Sequence, residues 1–599
     1  MADVRQRLRK IIKIEPPGVI PGFGLVLGIT LTMLTCIVLI PLASLVLETL
    51  QIGSFQEFWE IVTDKYIMSG YKVSLLCAFL AAVINTIMGV IIAWILVRYK
   101  FPGKTFVNGI IELPFAIPTS VAGIALTSLY ADTGWIGSFF AKFGIAIAYT
   151  KAGIIIAMVF IGIPFVVRSV QPVLEKFDNE YEEAAMTLGA SKRVTFFKVI
   201  LPELFPSILA GFGLAFARGI GEYGSVVFIA GNIPLKTQIA PLLIYSKLQQ
   251  YKYEDATAIA LVLLIISFVL MLIINGLQLY MQRFASAGDN MSGIRKVVEI
   301  EPSEKRFGGR QVLIFIGVLF LVVMLIVPLA LIIIYALRDG WASYVEALID
   351  AETIHALKLT LIATVIAVAV NTIFGVAAAI LLTKYVFPGR QVLATLIDLP
   401  FSISPVIAGL IFLLTFGSIG WMDPILSALD IQIVFAVPGI VLATIFVTFP
   451  FVFRELFPVL NAQGRHEEEA AALMGARPGK IFRKITFPHM KWAFAYGIVL
   501  CAARAMGEFG AVSVISGHLR GKTNTLSLHV EILFNEFNTT ASFAVASLLV
   551  VLAVIILIVR NVLEYRIKKN EAMLEKEANL SDAEEDDMSE KNESIGGTT

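Results

Sequence analysis

Residues 113–123 read LPFAIPTSVAG, and residues 399–409 read LPFSISPVIAG. The two stretches lie 286 positions apart, and that single offset organises the rest of the chain. Working outward, it superposes IPFVVR (163–168) on FPFVFR (449–454), Asn85-Thr86 on Asn371-Thr372, and FPG at 101–103 on FPG at 387–389. It pairs Lys72 with Lys358, Trp135 with Trp421, ARGIGEYG (217–224) with ARAMGEFG (503–510), and Gly231 with Gly517. A register held without gaps from residue 72 to about 260 identifies two homologous halves fused in one polypeptide.

Both halves read as membrane segments. The 599 residues are 57% hydrophobic and 16% charged, with a mean hydropathy of +0.83, outside the range of soluble domains. Twelve apolar runs approach the ~20 residues that a helix needs to cross a ~30 Å hydrocarbon core. They are 23–47, 72–97, 107–130, 152–170, 203–230 and 257–281, then 312–336, 358–383, 392–416, 436–456, 491–516 and 541–562. Residues 1–13 carry five basic side chains, but Phe23–Leu47 is too long for a signal-peptide core and shows no small-residue cleavage site, so it reads as an uncleaved first span. Six crossings per half give both halves the same orientation about an axis along the membrane normal, and a pathway along that axis is expected. The expected fold is an all-α integral membrane protein of two homologous six-helix halves, with 12 transmembrane helices.

The divisions follow from composition. Residues 1–281 form the first half and 312–565 the second, with a charged linker at 282–311 containing scattered Gly and Ser, and a tail at 566–599. The tail is polar and acidic at Ala583–Asp587, and it is expected to be disordered. Most basic loops fall on one side, among them the N-terminus, Arg98–Lys104, Lys384–Arg390, Arg477–Lys484 and Arg566–Lys569; Gly231–Tyr253, with three lysines, is an exception on the other. Lys and Arg near span ends stay cytoplasmic, so both termini are expected in the cytoplasm.

Several chemistries find no support. Cys36, Cys77 and Cys501 all lie in expected spans, and the five histidines show no metal-ligand spacing. GHLRGKT (517–523) has three residues between its glycines where a phosphate-cradling loop needs four, and no strand precedes it. No catalytic or metal-binding residue is expected, and nothing points to nucleic acid.

One polar stretch per half stands out between the fourth and fifth spans: EYEEAAMTLGASKRVTFFKVILP (180–202) and HEEEAAALMGARPGKIFRKITFP (466–488). Asp178 is placed to cap a short helix running to Leu188, Gly189 suits the left-handed position after it, and Ser191 is placed to cap a second helix. In the other copy Gly475 takes the turn and Pro478 the first helical turn, where its missing N–H costs nothing. The result is a helix–turn–helix at the membrane surface, about 175–202 and 461–488, whose small alanines allow close approach and whose glutamates are placed to meet cationic partners.

Glu183-Ala184-Ala185, Gly189 and Leu201-Pro202 resemble the EAA-x3-G-x9-I-x-LP motif of ABC importer permeases, as do Glu469-Ala470-Ala471, Gly475, Ile485 and Pro488. Val199 replaces the motif's isoleucine in the first copy and Phe487 its leucine in the second, both apolar exchanges. RGIGEYGSVVFIAGNIPLKTQIAPLLI (218–244) resembles the T-type subunit of bacterial sulfate/thiosulfate permeases, and ARAMGEFGAVSVISG (503–517) the W-type subunit. The resemblance implies a type I ABC importer permease fold. It also implies two cytoplasmic ATPase subunits that use ATP and Mg and receive the two loops, an extracytoplasmic sulfate-binding protein, and no cofactor in this chain. Molybdate and tungstate permeases carry a similar R-x-x-GEFG segment, and an ion-driven secondary transporter also has parallel six-helix halves.

Arg218 and Arg504 superpose near the middle of the fifth spans, with Glu222 and Glu508 four residues on. Each pair is read either as a charge neutralised locally or as a guanidinium presented to an oxyanion in the pathway. Pro114, Pro118, Pro164, Pro400, Pro405 and Pro450 sit in or beside spans, near Glu112, Arg168, Asp398 and Arg454, and are read as shaping the bundle or as a gate.

Overall fold

The computed structural model describes residues 20, 22–177, 180–285, 309–563 and 566, and every regular element among them is a helix. The expected N-cap Asp178, linker residues 286–308 and the tail from 567 lie outside the described residues. Among the described residues nine helices are long and apolar enough to cross a membrane: Phe23–Leu50, Lys65–Arg98, Lys151–Lys176, Lys192–Ile220, Tyr253–Gln278, Arg310–Ala336, Ala351–Lys384, Val437–Gln463 and Thr539–Leu563.

The expected third and ninth spans are not single straight helices. Lys104–Ala116 meets Thr119–Tyr130 at 108°, and Arg390–Ser402 meets Pro405–Phe416 at 105°. Proline forces the residue before it into extended backbone. Ile117 (φ −82°, ψ 133°) precedes Pro118, and Ser404 (φ −58°, ψ 134°) precedes Pro405. The proline has moved by one position between halves, yet both breaks keep one register, with Ile403 (φ −82°, ψ 137°) superposing on Ile117.

The fifth and eleventh spans also end earlier than expected. Their helices stop at Ile220 and Met506, and the GEYG and GEFG segments form turns before the short helices Val226–Ile229 and Gly510–Ile515.

In each half the second span is the hub. Lys65–Arg98 packs against the fourth and fifth helices of its half, as Ala351–Lys384 does in the second. Paired glycines permit the approach: an added Cβ at Gly89 would come 2.6 Å from Val166, and one at Gly375 2.7 Å from the equivalent Val452. The first span of each half crosses to the other. Phe23–Leu34 and Ile40–Leu50 pack on Ala351–Lys384 and Pro405–Phe416, while Gly309–Leu321 and Val327–Ala336 pack on Lys65–Arg98 and Thr119–Tyr130. The halves are thereby interlocked rather than merely abutted.

Candidate functional site

The polar loops fold as helix–turn–helix knobs. Glu180–Thr187 is followed by Gly189 in left-handed backbone (φ +84°), and His466–Leu473 by Gly475 (φ +81°). The orphan carbonyls at each helix end are met in the same way: Gly189 N–H donates to Met186 C=O at 2.9 Å and Ala190 N–H to Ala185 C=O at 3.0 Å, while Gly475 and Ala476 donate to Ala472 and Ala471 at 3.0 Å each. Ser191 Oγ accepts from Val194 N–H at 3.4 Å, and Pro478 occupies the first helical turn after Arg477.

The second knob helix runs on into the fifth span through one π-helical turn, Phe196–Ile200 or Phe482–Thr486. Proline at 202 or 488 cannot donate to the carbonyl four residues back and crowds it. The widened turn absorbs this: the residue before each proline donates five residues back, Leu201 to Phe196 C=O and Phe487 to Phe482 C=O. Pro202 and Pro488 thus set how the knob joins the membrane helix.

The knob surfaces differ from expectation in two ways. Glu182 and Glu468 turn inward to the chain's own cations, Glu182 to Arg98 and Glu468 to Lys384 Nζ at 2.6 Å. Ala471 is also buried, against its own half, whereas Glu183, Ala184 and Ala470 are exposed or partly so. Beside the turn glycines the projecting residues are apolar: the equivalent Leu188 and Met474 are 88% and 82% exposed, with Leu473 at 74%. Hydrophobicity beside the motif's glycine was the available signal.

The second site lies where the halves meet. Tyr223 and Phe509 are equivalent under the 286 offset, and their rings stack at 5.9 Å with 13° between planes, so the pseudo-two-fold axis runs through the stack. Around it, each third-span break sits on the GEYG or GEFG turn of the other half. A Cβ on Gly221 would lie 3.1 Å from Ser404 Cα and one on Gly507 3.3 Å from Pro118 Cα, and Ser404 Oγ donates to Gly221 C=O at 2.8 Å. Gly224→Ala would set a methyl 2.8 Å from Thr119 Cβ and 3.0 Å from the Phe509 ring. Overpacking of this kind costs about 1–3 kcal/mol, and the expected result is a melting temperature several degrees below wild type in detergent; an unchanged value would contradict this packing.

Glu222 and Glu508 lie past the helix ends rather than on the arginines' helical face, yet both ion pairs form, Arg218 Nη2 to Glu222 Oε2 at 2.9 Å and Arg504 Nη2 to Glu508 Oε2 at 2.8 Å. The other carboxylate oxygens accept from the backbone N–H of Ser225 and Ala511, at 3.0 Å each. The carboxylates are buried, while about 15% of each arginine side chain stays open. Arg218 lines a cavity of about 140 Å³ with Phe401, Ser402, Met271 and Gln278. Local neutralisation and exposure to a cavity therefore hold together.

Further charges in or beside the spans are paired among the described residues, Arg168 with Glu112 at 2.5 Å, Arg560 with the same Glu112, and Arg454 with Asp398 at 2.7 Å. Beside them Phe115, Phe165, Phe401 and Phe451 form a chain of rings from one half to the other, with centroids 5.0, 5.9 and 6.2 Å apart. Pro164 lies inside the helix Lys151–Lys176, whereas Pro450 heads Phe451–Gln463. Elsewhere Asp350, Glu352 and His529 come within 4.8 Å, a grouping their sequence spacing does not reveal. Asp350 caps its own helix, and both His529 ring nitrogens are engaged, with Thr353 and Asn524; burial lowers the imidazole pKa.

A helical membrane bundle with an axial contact between equivalent residues and one knob per half has the construction of a transport permease. The chain belongs to the family of binding-protein-dependent transport system inner membrane components, which matches residues 85–286 and again 371–569, two stretches that begin 286 positions apart. Members are membrane components of ABC importers, not enzymes, and work with separate ATPase and substrate-binding partners. The chain is similar to the sulfate transport system permease protein CysT of Salmonella typhimurium, 49% identical over 268 residues that make up 45% of this chain and 96% of that protein. It is also similar to the sulfate transport system permease protein CysW of Escherichia coli K12, 46% identical over 269 residues, 45% of this chain and 92% of that protein. T-type and W-type permeases are thus fused in a single polypeptide. A bacterial alginate ABC transporter, in crystals with its alginate pentasaccharide-bound periplasmic protein, is similar over 41% of this chain and 90% of its own at 18% identity, with a TM-score of 0.36.

Proposed function

We propose that this chain supplies both permease halves of an ATP-driven importer of sulfate or thiosulfate, residues 1–281 and 312–565. The observation that carries the reading is the pair of superposable knobs, each with a left-handed glycine and an exposed apolar tip at Leu188 or Met474. Each knob docks one ATPase subunit, so two bind per chain, and ATP and Mg are used there. The knob face and both termini are cytoplasmic, and a sulfate-binding protein delivers the oxyanion to the opposite face. Inward movement proceeds by alternating access along the axis, with Arg218 and Arg504 facing the passing dianion and Glu222 and Glu508 moderating their field. The sulfate assignment is supported by the relatives' own substrates.

The test is radiolabelled sulfate uptake in a sulfate-transport-deficient host that expresses the chain with its ATPase and binding protein. Uptake should appear and should be competed by unlabelled sulfate and thiosulfate, with molybdate and tungstate much weaker. Competition in the reverse order would assign the chain to the larger oxyanions.

A further inference from the structure

The two knobs are each fastened at a second point that sequence reading missed. Arg98 and Lys384 are equivalent under the 286 offset and end the 34-residue second spans of their halves, where a cation also suits the helix C-terminus. Glu182 and Glu468 are likewise equivalent, in the first turns of the knob helices. Their ion pairs therefore recur in the same place in both halves, although arginine serves in one and lysine in the other. The mountings are unequal. Arg98 and Glu182 keep 17% and 19% of their side chains exposed, with the guanidinium over the rings of Trp94 and Phe177. Lys384 and Glu468 are both 2% exposed; Lys384 Nζ also donates to Gln463 Oε1 at 3.1 Å and Gly464 C=O, and Glu468 Oε1 accepts from Thr486 Oγ1 at 3.2 Å.

Each knob is joined covalently to the fourth span through its first helix and to the fifth span through its second, and this ion pair adds a direct tie from its first helix to the second span. The second span is the hub of its half and carries the first span of the other half. We infer that the Arg98–Glu182 and Lys384–Glu468 pairs are the links that deliver knob displacement to the second spans, making these four residues positioning residues for transport. The inference rests on the knob reading above. Without the link, force on the knob reaches only the fourth and fifth spans directly, the second span follows weakly through packing, and ATP is hydrolysed with little transport.

The experiment measures sulfate moved per ATP hydrolysed in proteoliposomes holding the full complex, together with ATPase copurification. Lys384→Met combined with Glu468→Leu removes both charges and leaves no unpaired ion behind, an exchange that buried pairs tolerate. It should copurify ATPase as wild type does and transport at least tenfold less per ATP. Arg98→Glu and Glu182→Arg singly should each lower the ratio at least fivefold, and the two together should restore it to within twofold. A wild-type ratio in the apolar pair, or a reversed pair no better than its singles, overturns the link. Should the apolar pair fail to assemble, the charge reversal at the partly exposed site decides by itself. A wild-type chain that binds no ATPase would instead overturn the knob reading, and the link with it.

Discussion

A chain carrying Leu188→Asp together with Met474→Asp is expected to reach the membrane at wild-type level, lose its ATPase subunits, and import no measurable sulfate. Both side chains are more than four-fifths exposed, so the exchange removes almost no packing from the chain's own fold. Apolar anchors desolvated in a partner's pocket are worth about 2 kcal/mol or more each when truncated, and a buried carboxylate adds its own desolvation. Two such losses, about 4 kcal/mol together, weaken docking on the order of a thousandfold. Gly475→Val tests shape rather than chemistry. No atom lies within 4 Å of the position an added Cβ would take, so the cost is confined to the backbone at φ +81°, which a β-branched residue strongly disfavours. It should weaken ATPase association less than the double aspartate while insertion stays normal. Copurification from solubilised membranes measures both, and undiminished ATPase recovery with the double aspartate would remove the tips as anchors.

The repeat made much of this legible. An offset that pairs residues one by one needs no structure to show two equal halves, and a glycine closing a short amphipathic helix is read from stereochemistry alone. Bends at Pro118 and Pro405 are legible in the sequence, since Ile117-Pro118 and Ser404-Pro405 state the rule for residues before proline openly, but that they turn the helix by more than 100° is set by the packing of each break on the other half. The direction of a glutamate side chain is set by tertiary context, and a single helix does not reveal that Glu182 and Glu468 turn to the second span. The offset did hold a clue, since it pairs a basic residue at 98 with one at 384 just as it pairs the two glutamates. The axial stack of Tyr223 on Phe509 was legible to the same extent: both positions align, but only the fold shows that equivalents touch.

Replacing an intramembrane arginine alone would confound its two roles, and the structure shows how to separate them. Arg218 holds Glu222 Oε2, while the other oxygen of that carboxylate is held by the Ser225 backbone N–H and hydroxyl, at 3.0 Å each. Arg218→Gln therefore leaves a buried charge short of its partner, a change that costs about 3–5 kcal/mol and lowers the amount of assembled protein whatever the arginine does in transport. Arg218→Gln with Glu222→Gln, and likewise Arg504→Gln with Glu508→Gln, keeps amide groups where the ion pairs stood and removes both charges. The neutral pairs should assemble and bind ATPase near wild-type levels, because insertion of an arginine at this depth costs ~2.5–3.5 kcal/mol that an uncharged side chain largely avoids. Transport should still fail. A dianion crossing the axis loses two guanidinium partners, and hydrogen bonds to charged groups contribute about 1.5–3 kcal/mol each, so uptake should fall roughly tenfold to a hundredfold for one neutral pair and further for both. Wild-type uptake in the doubly neutralised chain would leave the arginines as partners of Glu222 and Glu508 alone, and the oxyanion's path would have to be sought away from the axial turns.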